Sequence, residues 1–94
     1  PEGLTSIGDP AFCGCTALTA IKLPEGLTSI GKKAFYGCTS LTEIKFNKNL
    51  TSIGKDAFKD CDNLEKITYY KHTEKILRDY FSSKWYEFEK IVRN

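Results

Sequence analysis

Long apolar runs are missing from this 94-residue sequence, and so is a strong excess of one charge. No stretch approaches the roughly 18 apolar residues of a membrane-crossing helix, so membrane insertion is not expected. No charged-then-apolar leader stands in these residues either. Lysine and arginine number 14 against 12 aspartate and glutamate, a formal net charge of +2. That is too slight for nucleic-acid binding, which calls for a clustered basic face. Histidine occurs once, as His72, and position suggests no nucleophile or orienting group around it, as catalysis would require. The glycines never fall into a GxGxxG phosphate loop. Methionine is absent, and the sequence opens on Pro1.

What is present is a repeat. Leu4 to Gly26 reads LTSIGDPAFCGCTALTAIKLPEG, Leu27 to Asn49 reads LTSIGKKAFYGCTSLTEIKFNKN, and Leu50 to His72 reads LTSIGKDAFKDCDNLEKITYYKH. Their first residues stand 23 apart both times, with no insertion or deletion. A fixed period of about 20 to 29 residues signals a solenoid, because one unit cannot bury its own apolar face and must stack on its neighbours. The opening Pro1-Glu2-Gly3 matches Pro24-Glu25-Gly26, so residues 1–3 read as the tail of a preceding repeat. Residues 4–72 read as three repeats and 73–94 as a cap, making this a C-terminal piece of a longer array.

The positions fixed across copies are the expected core. They are Leu4/Leu27/Leu50, Ile7/Ile30/Ile53, Ala11/Ala34/Ala57, Phe12/Phe35/Phe58, Cys15/Cys38/Cys61, Leu18/Leu41/Leu64, Ile21/Ile44/Ile67 and Leu23/Phe46/Tyr69. At roughly 25 cal/mol per Å² of buried apolar surface, one coil cannot offset its own ordering entropy. A stack can. Each coil holds two short extended pieces, the end of LTSIG and the IKL or IKF stretch, where alternation turns Ile21 and Leu23 inward and Ala20 and Lys22 outward. Gly8, Gly31 and Gly54 allow a turn that a bulkier residue would resist. The following KKAFYGC segment suits one 3₁₀ or α turn presenting Phe35 to the core. Strands of successive coils are expected to lie parallel, about 4.8 Å apart.

The pattern LxxIGxxAFxxCxxLxxIxLP, met three times between Leu4 and Tyr69, resembles the leucine-rich repeats of the BspA-like bacterial surface-protein family. Departures are mild: Pro24 becomes Asn47 and then Tyr70. The resemblance implies an α/β leucine-rich-repeat solenoid with short parallel strands, short helical or 3₁₀ turns and a helical C-terminal cap. It also implies a cell-surface or secreted setting and a non-catalytic role in adhesion or host and matrix protein binding.

After His72 the repeat text stops. Thr73 is a candidate helix cap, and Ile76, Leu77, Tyr80 and Phe81 form one apolar face. Phe88 to Arg93 (FEKIVR) overlays on Leu41 to Phe46 (LTEIKF). That alignment places Phe88 for the leucine and Ile91 for the inward isoleucine of a last strand. The cap shields apolar surface and a strand edge that would otherwise aggregate. The N-terminal side shows no such element and offers an edge for self-association.

Candidate sites divide into weak and stronger ones. Cys15, Cys38 and Cys61 recur at the repeat period and stack as a column of buried thiols; their side chains run parallel, which disfavours disulfides. Cys13-Gly14-Cys15 is not a CxxC, and no second pair or histidine accompanies it, so no metal or cofactor is expected. Cys13 aligns with Tyr36 and Lys59, which places it nearer the surface as an oxidisable thiol. Glu43, Glu65, Glu87 and Glu89 read as solvated charges, and no catalytic residue is assigned. The outward ladders are the stronger candidate: Ala20, Glu43, Lys66 and Lys90 beside Lys22, Lys45, Thr68 and Val92, with Pro24, Asn47 and Tyr70 next to them. A solenoid binds through such faces, where variable side chains stand on a rigid frame. Lys22, Lys45, Thr68, Glu43, Lys66 and Tyr70 are therefore the expected protein-binding residues, Tyr70 because exposed tyrosine suits interfaces. The Thr5/Thr28/Thr51 and Ser6/Ser29/Ser52 ladders serve to stack coils. The two competing readings are a structural or self-association module, and a targeting module of a larger enzyme.

Overall fold

The computed structural model describes residues 6–8 and 12–94. The expectations on Pro1–Gly3, Leu4, Thr5 and Ala11, and on the side chain of Ser6, lie outside the described residues. The chain winds through β1 (Ser6–Ile7), β2 (Ala20–Lys22), β3 (Ser29–Ile30), β4 (Glu43–Lys45), β5 (Ser52–Ile53), β6 (Lys66–Tyr70), helix α1 (Glu74–Phe81) and β7 (Glu89–Arg93). Short 3₁₀ segments, Lys71–Thr73 and Ser82–Glu87, flank α1. Two parallel sheets result, one ordered β1-β3-β5 and the other β2-β4-β6-β7. Each coil gives one strand to each sheet, as a leucine-rich-repeat solenoid does.

The register is the repeat period. Ile7 pairs with Ile30 and Ile30 with Ile53; Ile21 pairs with Ile44 and Ile44 with Ile67. Like stacks on like, so the core is built from columns. Phe12, Phe35 and Phe58 stack with ring centroids 5.1 Å apart and planes within 3°, an offset arrangement aromatic rings favour. Turns replace helices on this side, because AF-containing segments of six or seven residues are too short to nucleate one. Their N–H groups bond instead to the next coil: Phe12 N–H donates to Ala34 O at 2.7 Å and Phe35 N–H to Ala57 O at 2.7 Å.

Two backbone details explain repeated residues. An added Cβ at Gly54 would lie 2.4 Å from Lys32 N and 2.6 Å from Gly31 C. The glycine is needed for close approach to the coil before it, not for a special torsion. Gly14 and Gly37 do take φ of +74°, and Asp60, at the same repeat position, is held at +63°.

The cap ends the columns with side chains. Tyr80 Oη accepts the Phe58 N–H at 2.8 Å, the bond that a carbonyl of a further coil makes elsewhere. The Tyr80 and Phe81 rings close on the exposed side of Phe58 at centroid distances of 5.9 and 5.8 Å. Leu77 and Trp85 are buried, while Ile76 stays half-exposed. Thr73 does not cap the helix: its hydroxyl donates to Tyr70 O at 2.8 Å and the side chain is buried in the chain reversal.

The last strand corrects the sequence alignment by one residue. Lys66 pairs with Glu89, Ile67 with Lys90, Thr68 with Ile91 and Tyr70 with Arg93. The ladder thus keeps the period of 23, whereas matching Phe88 to leucine implied 24. Phe88 is buried, but the inner place beside Ile67 falls to Lys90, whose ammonium lies 5.2 Å from the indole of buried Trp85. Trp85 packs edge-on against Tyr69 at 5.2 Å, so an inward Ile91 is not needed to fill the core. Ile91 turns to the outer face, 39% exposed.

Candidate sheet-face interaction site

The outer face of the four-stranded sheet carries side chains in rows across the coils. One row is Ala20, Glu43, Lys66 and Glu89; the next is Lys22, Lys45, Thr68 and Ile91. Glu89 and Ile91 thus replace the expected Lys90 and Val92, which the register of β7 turns to the other side. In the first row Lys66 stands between Glu43 and Glu89, opposite charges on adjacent strands, a favourable order. In the second row Lys22 and Lys45 stand directly opposite each other, an unfavourable one. The six predicted residues Lys22, Lys45, Thr68, Glu43, Lys66 and Tyr70 therefore share one face. Four of them, Lys22, Lys45, Thr68 and Tyr70, border a common hollow with Leu23, Glu25, Phe46 and Arg93. Glu43 and Lys66 do not.

That hollow has a volume of about 170 Å³. Asn47 does not occupy the expected place in the outer row between Pro24 and Tyr70. Asn47 is only 1% exposed, and its amide donates to Glu25 O and Leu27 O in the chain reversal of the coil before. Sequence alternation missed this, since an amide at a strand end can satisfy local carbonyls instead of facing water. Thr68 departs from expectation too. It belongs to the outer row but is 4% exposed, flanked in register by Lys45 and Ile91. Its hydroxyl is buried without a hydrogen-bond partner. A bare buried hydroxyl costs roughly 1–3 kcal/mol.

The charges around the hollow make no ion pair among the described residues. Among the described residues the salt bridges are Lys75–Asp79 at 2.8 Å and Arg78–Glu74 at 3.3 Å, both on α1. Among the described residues, Lys22, Lys45 and Arg93 thus have no carboxylate within 4 Å. Tyr70 is half-buried, with its ring centroid 6.2 Å from that of His72. Arg93 was not singled out in the sequence; its place follows only from the register that sets it beside Tyr70.

The other sequence candidates have structural occupations. His72 Nε2–H donates to Lys48 O at 2.6 Å, repeating the bond of its equivalent Asn49 to Glu25 O at 2.7 Å. The threonine ladder also stacks coils, with Thr51 Oγ1 donating to Thr28 O at 2.9 Å. The Cys38 thiol donates to Phe12 O at 3.2 Å and the Cys61 thiol to Phe35 O at 3.1 Å. Burial pushes both thiols up, that of Cys61 to about 11. Neither is a ready nucleophile. Cys13 is exposed and free. Among the described residues no three metal-ligating side chains cluster, and no helix is long and apolar enough to cross a membrane.

Comparison with known proteins agrees with this architecture. A model of the BspA-type leucine-rich repeat region, of six copies, matches residues 1–92. The crystal structure of a leucine-rich repeat protein from Bacteroides ovatus ATCC 8483 is similar, with a TM-score of 0.68 and 28% sequence identity. The match covers 98% of this chain but 29% of that one, so the chain spans less than a third of its neighbour's length. No curated protein matches. With its stacked Phe and Cys columns, its two parallel sheets and a match over nearly all its length, the chain belongs to the BspA-type leucine-rich-repeat family.

Proposed function

We propose that this chain is a non-catalytic protein-interaction module that engages its partner through the outer face of the β2-β4-β6-β7 sheet. The observation that carries this reading is the contrast within each strand. Inner positions repeat from coil to coil, as in Ile21, Ile44 and Ile67, while outer ones change, as in Lys22, Lys45 and Thr68. A rigid frame with variable outward side chains is how solenoids present binding surfaces. The family is associated with bacterial surface proteins, which favours adhesion to host or matrix protein as the setting. The test is surface plasmon resonance against a panel of extracellular-matrix proteins. Wild type would be compared with Lys22→Glu/Lys45→Glu and with Lys32→Glu/Lys55→Glu, an equal charge change off this face. Saturable binding lost only in the first variant supports the reading. Binding to no member, or equal loss in both variants, contradicts it.

A second reading rests on the opposite end of the stack. Phe12, Cys15 and Leu18 are half-buried and, with Thr16 and Ala17, line an apolar opening, although their counterparts in the next coil are fully covered. A second copy stacked there would bury them. Light scattering on a size-exclusion column across a concentration series decides: dimers that dissociate on dilution favour it, and a monomer throughout removes it.

A further inference from the structure

We propose that the hollow on the sheet face is a carboxylate-binding site, and that the partner it fits is an acidic segment of a protein, an aspartate or glutamate side chain entering between Lys22, Lys45 and Arg93. The inference rests on the proposed sheet-face function and names the chemistry of its recognition.

Two independent features converge on this site. The first is charge: among the described residues three cations and one carboxylate, Glu25, border the hollow, and none of these cations is paired with a described carboxylate within 4 Å. Lys22 and Lys45, facing each other across adjacent strands, repel in the free protein. An anion between them turns that repulsion into attraction on both sides. The second is the Thr68 hydroxyl, a donor buried in the wall of the hollow and left without a partner. A hydrogen bond to a charged acceptor is among the strongest a hydroxyl can make. Tyr70, half-buried at the rim, adds a hydroxyl and a ring edge for the peptide around the carboxylate.

Asn47 leaves the outer row beside the site without a side chain of its own. With a Pro24-like or Tyr70-like outward residue at that position, the outer row would be continuous. By turning its amide to Glu25 O and Leu27 O, Asn47 opens the row next to the two lysines.

The test uses the intact chain and three probes, a hexaglutamate peptide, a hexaglutamine peptide and inorganic phosphate, titrated while amide and side-chain shifts are followed by NMR. Hexaglutamate is expected to move Lys22, Lys45, Thr68, Tyr70 and Arg93 together, with affinity that falls as salt rises. Hexaglutamine should move none of them. Lys45→Glu should weaken hexaglutamate at least about tenfold, and Lys55→Glu by less than about threefold. Thr68→Val should weaken it several-fold while raising Tm, because it removes a hydroxyl that only the ligand satisfies. No shift with hexaglutamate, shifts spread equally over Lys32, Lys55 and Lys59, or binding of phosphate alone would each overturn the proposal. Should hexaglutamate fail while matrix-protein binding still depends on Lys22 and Lys45, this inference falls and the sheet-face function stands. Should both fail, the sheet face itself is the wrong surface.

Discussion

The two ends of the stack carry the same repeat text in different surroundings. At the C-terminal end, Phe58 is covered by Tyr80 and Phe81 and its N–H is bonded by the Tyr80 hydroxyl. At the other end Phe12, Cys15, Leu18 and Ile21 occupy the same repeat positions as buried residues elsewhere, yet remain half-buried. Burial here is a property of having a neighbour. The motif supplies columns; the neighbours supply the stability.

Paired substitutions break this comparison most sharply. Phe35→Ala removes a ring stacked on both faces and should cost about 4 kcal/mol, whereas Phe12→Ala should cost clearly less, since its ring has one such neighbour among the described residues. Urea unfolding of both variants measures the difference, and equal losses would contradict it. Gly54→Ala forces a Cβ onto the backbone at Lys32 and should cost about 3 kcal/mol. Gly8→Ala, with nothing among the described residues within 4 Å of its added carbon, should stay within about 0.5 kcal/mol.

Smaller effects sharpen the account. Burial raises the Cys61 thiol from 9.0 to about 11, so the folded state holds a proton that the unfolded chain has lost. Stability from this group is complete below about pH 9 and declines between about pH 9 and 11, by up to about 1.4 kcal/mol per pH unit. Denaturation midpoints across that range should fall less steeply in Cys61→Ala. Asp60→Gly should add roughly 0.5–1 kcal/mol, because Asp60 sits at a φ of +63° where Gly14 and Gly37 take +74°. A melting curve unchanged or lowered by Asp60→Gly would argue against strain at that turn.

The inward positions that recur among the described residues were legible in the sequence. Three copies of Ile21, Ile44 and Ile67, or of Phe12, Phe35 and Phe58, vote for the same inward position, and averaging over coils removes local exceptions. Residues that occur once had no such vote. Strand alternation alone places Asn47 outward, because it ignores the carbonyls of Glu25 and Leu27 within reach of its amide. Ile91 was aligned by hydrophobicity, but the backbone ladder and the bulk of Trp85 decide the register of β7. That one-residue slip exchanged Lys90 and Val92 for Glu89 and Ile91 on the candidate face, and it brought Arg93 to the hollow unseen. Thr68 was placed on the correct face, yet its burial depends on Lys45 and Ile91 beside it, information that only pairing supplies. The role of Tyr80 as a substitute carbonyl has no sequence signal at all.

The most direct test of the claim that neighbours supply stability is amide hydrogen exchange at Phe58 and Phe35, in wild type and in Tyr80→Phe. The variant keeps the ring and removes the one acceptor of the Phe58 N–H, a loss of about 1–2 kcal/mol. The account predicts that Phe58 exchange accelerates about tenfold or more, while Phe35, bonded to Ala57 O, accelerates far less. Equal acceleration at the two amides, or none at Phe58, would contradict it.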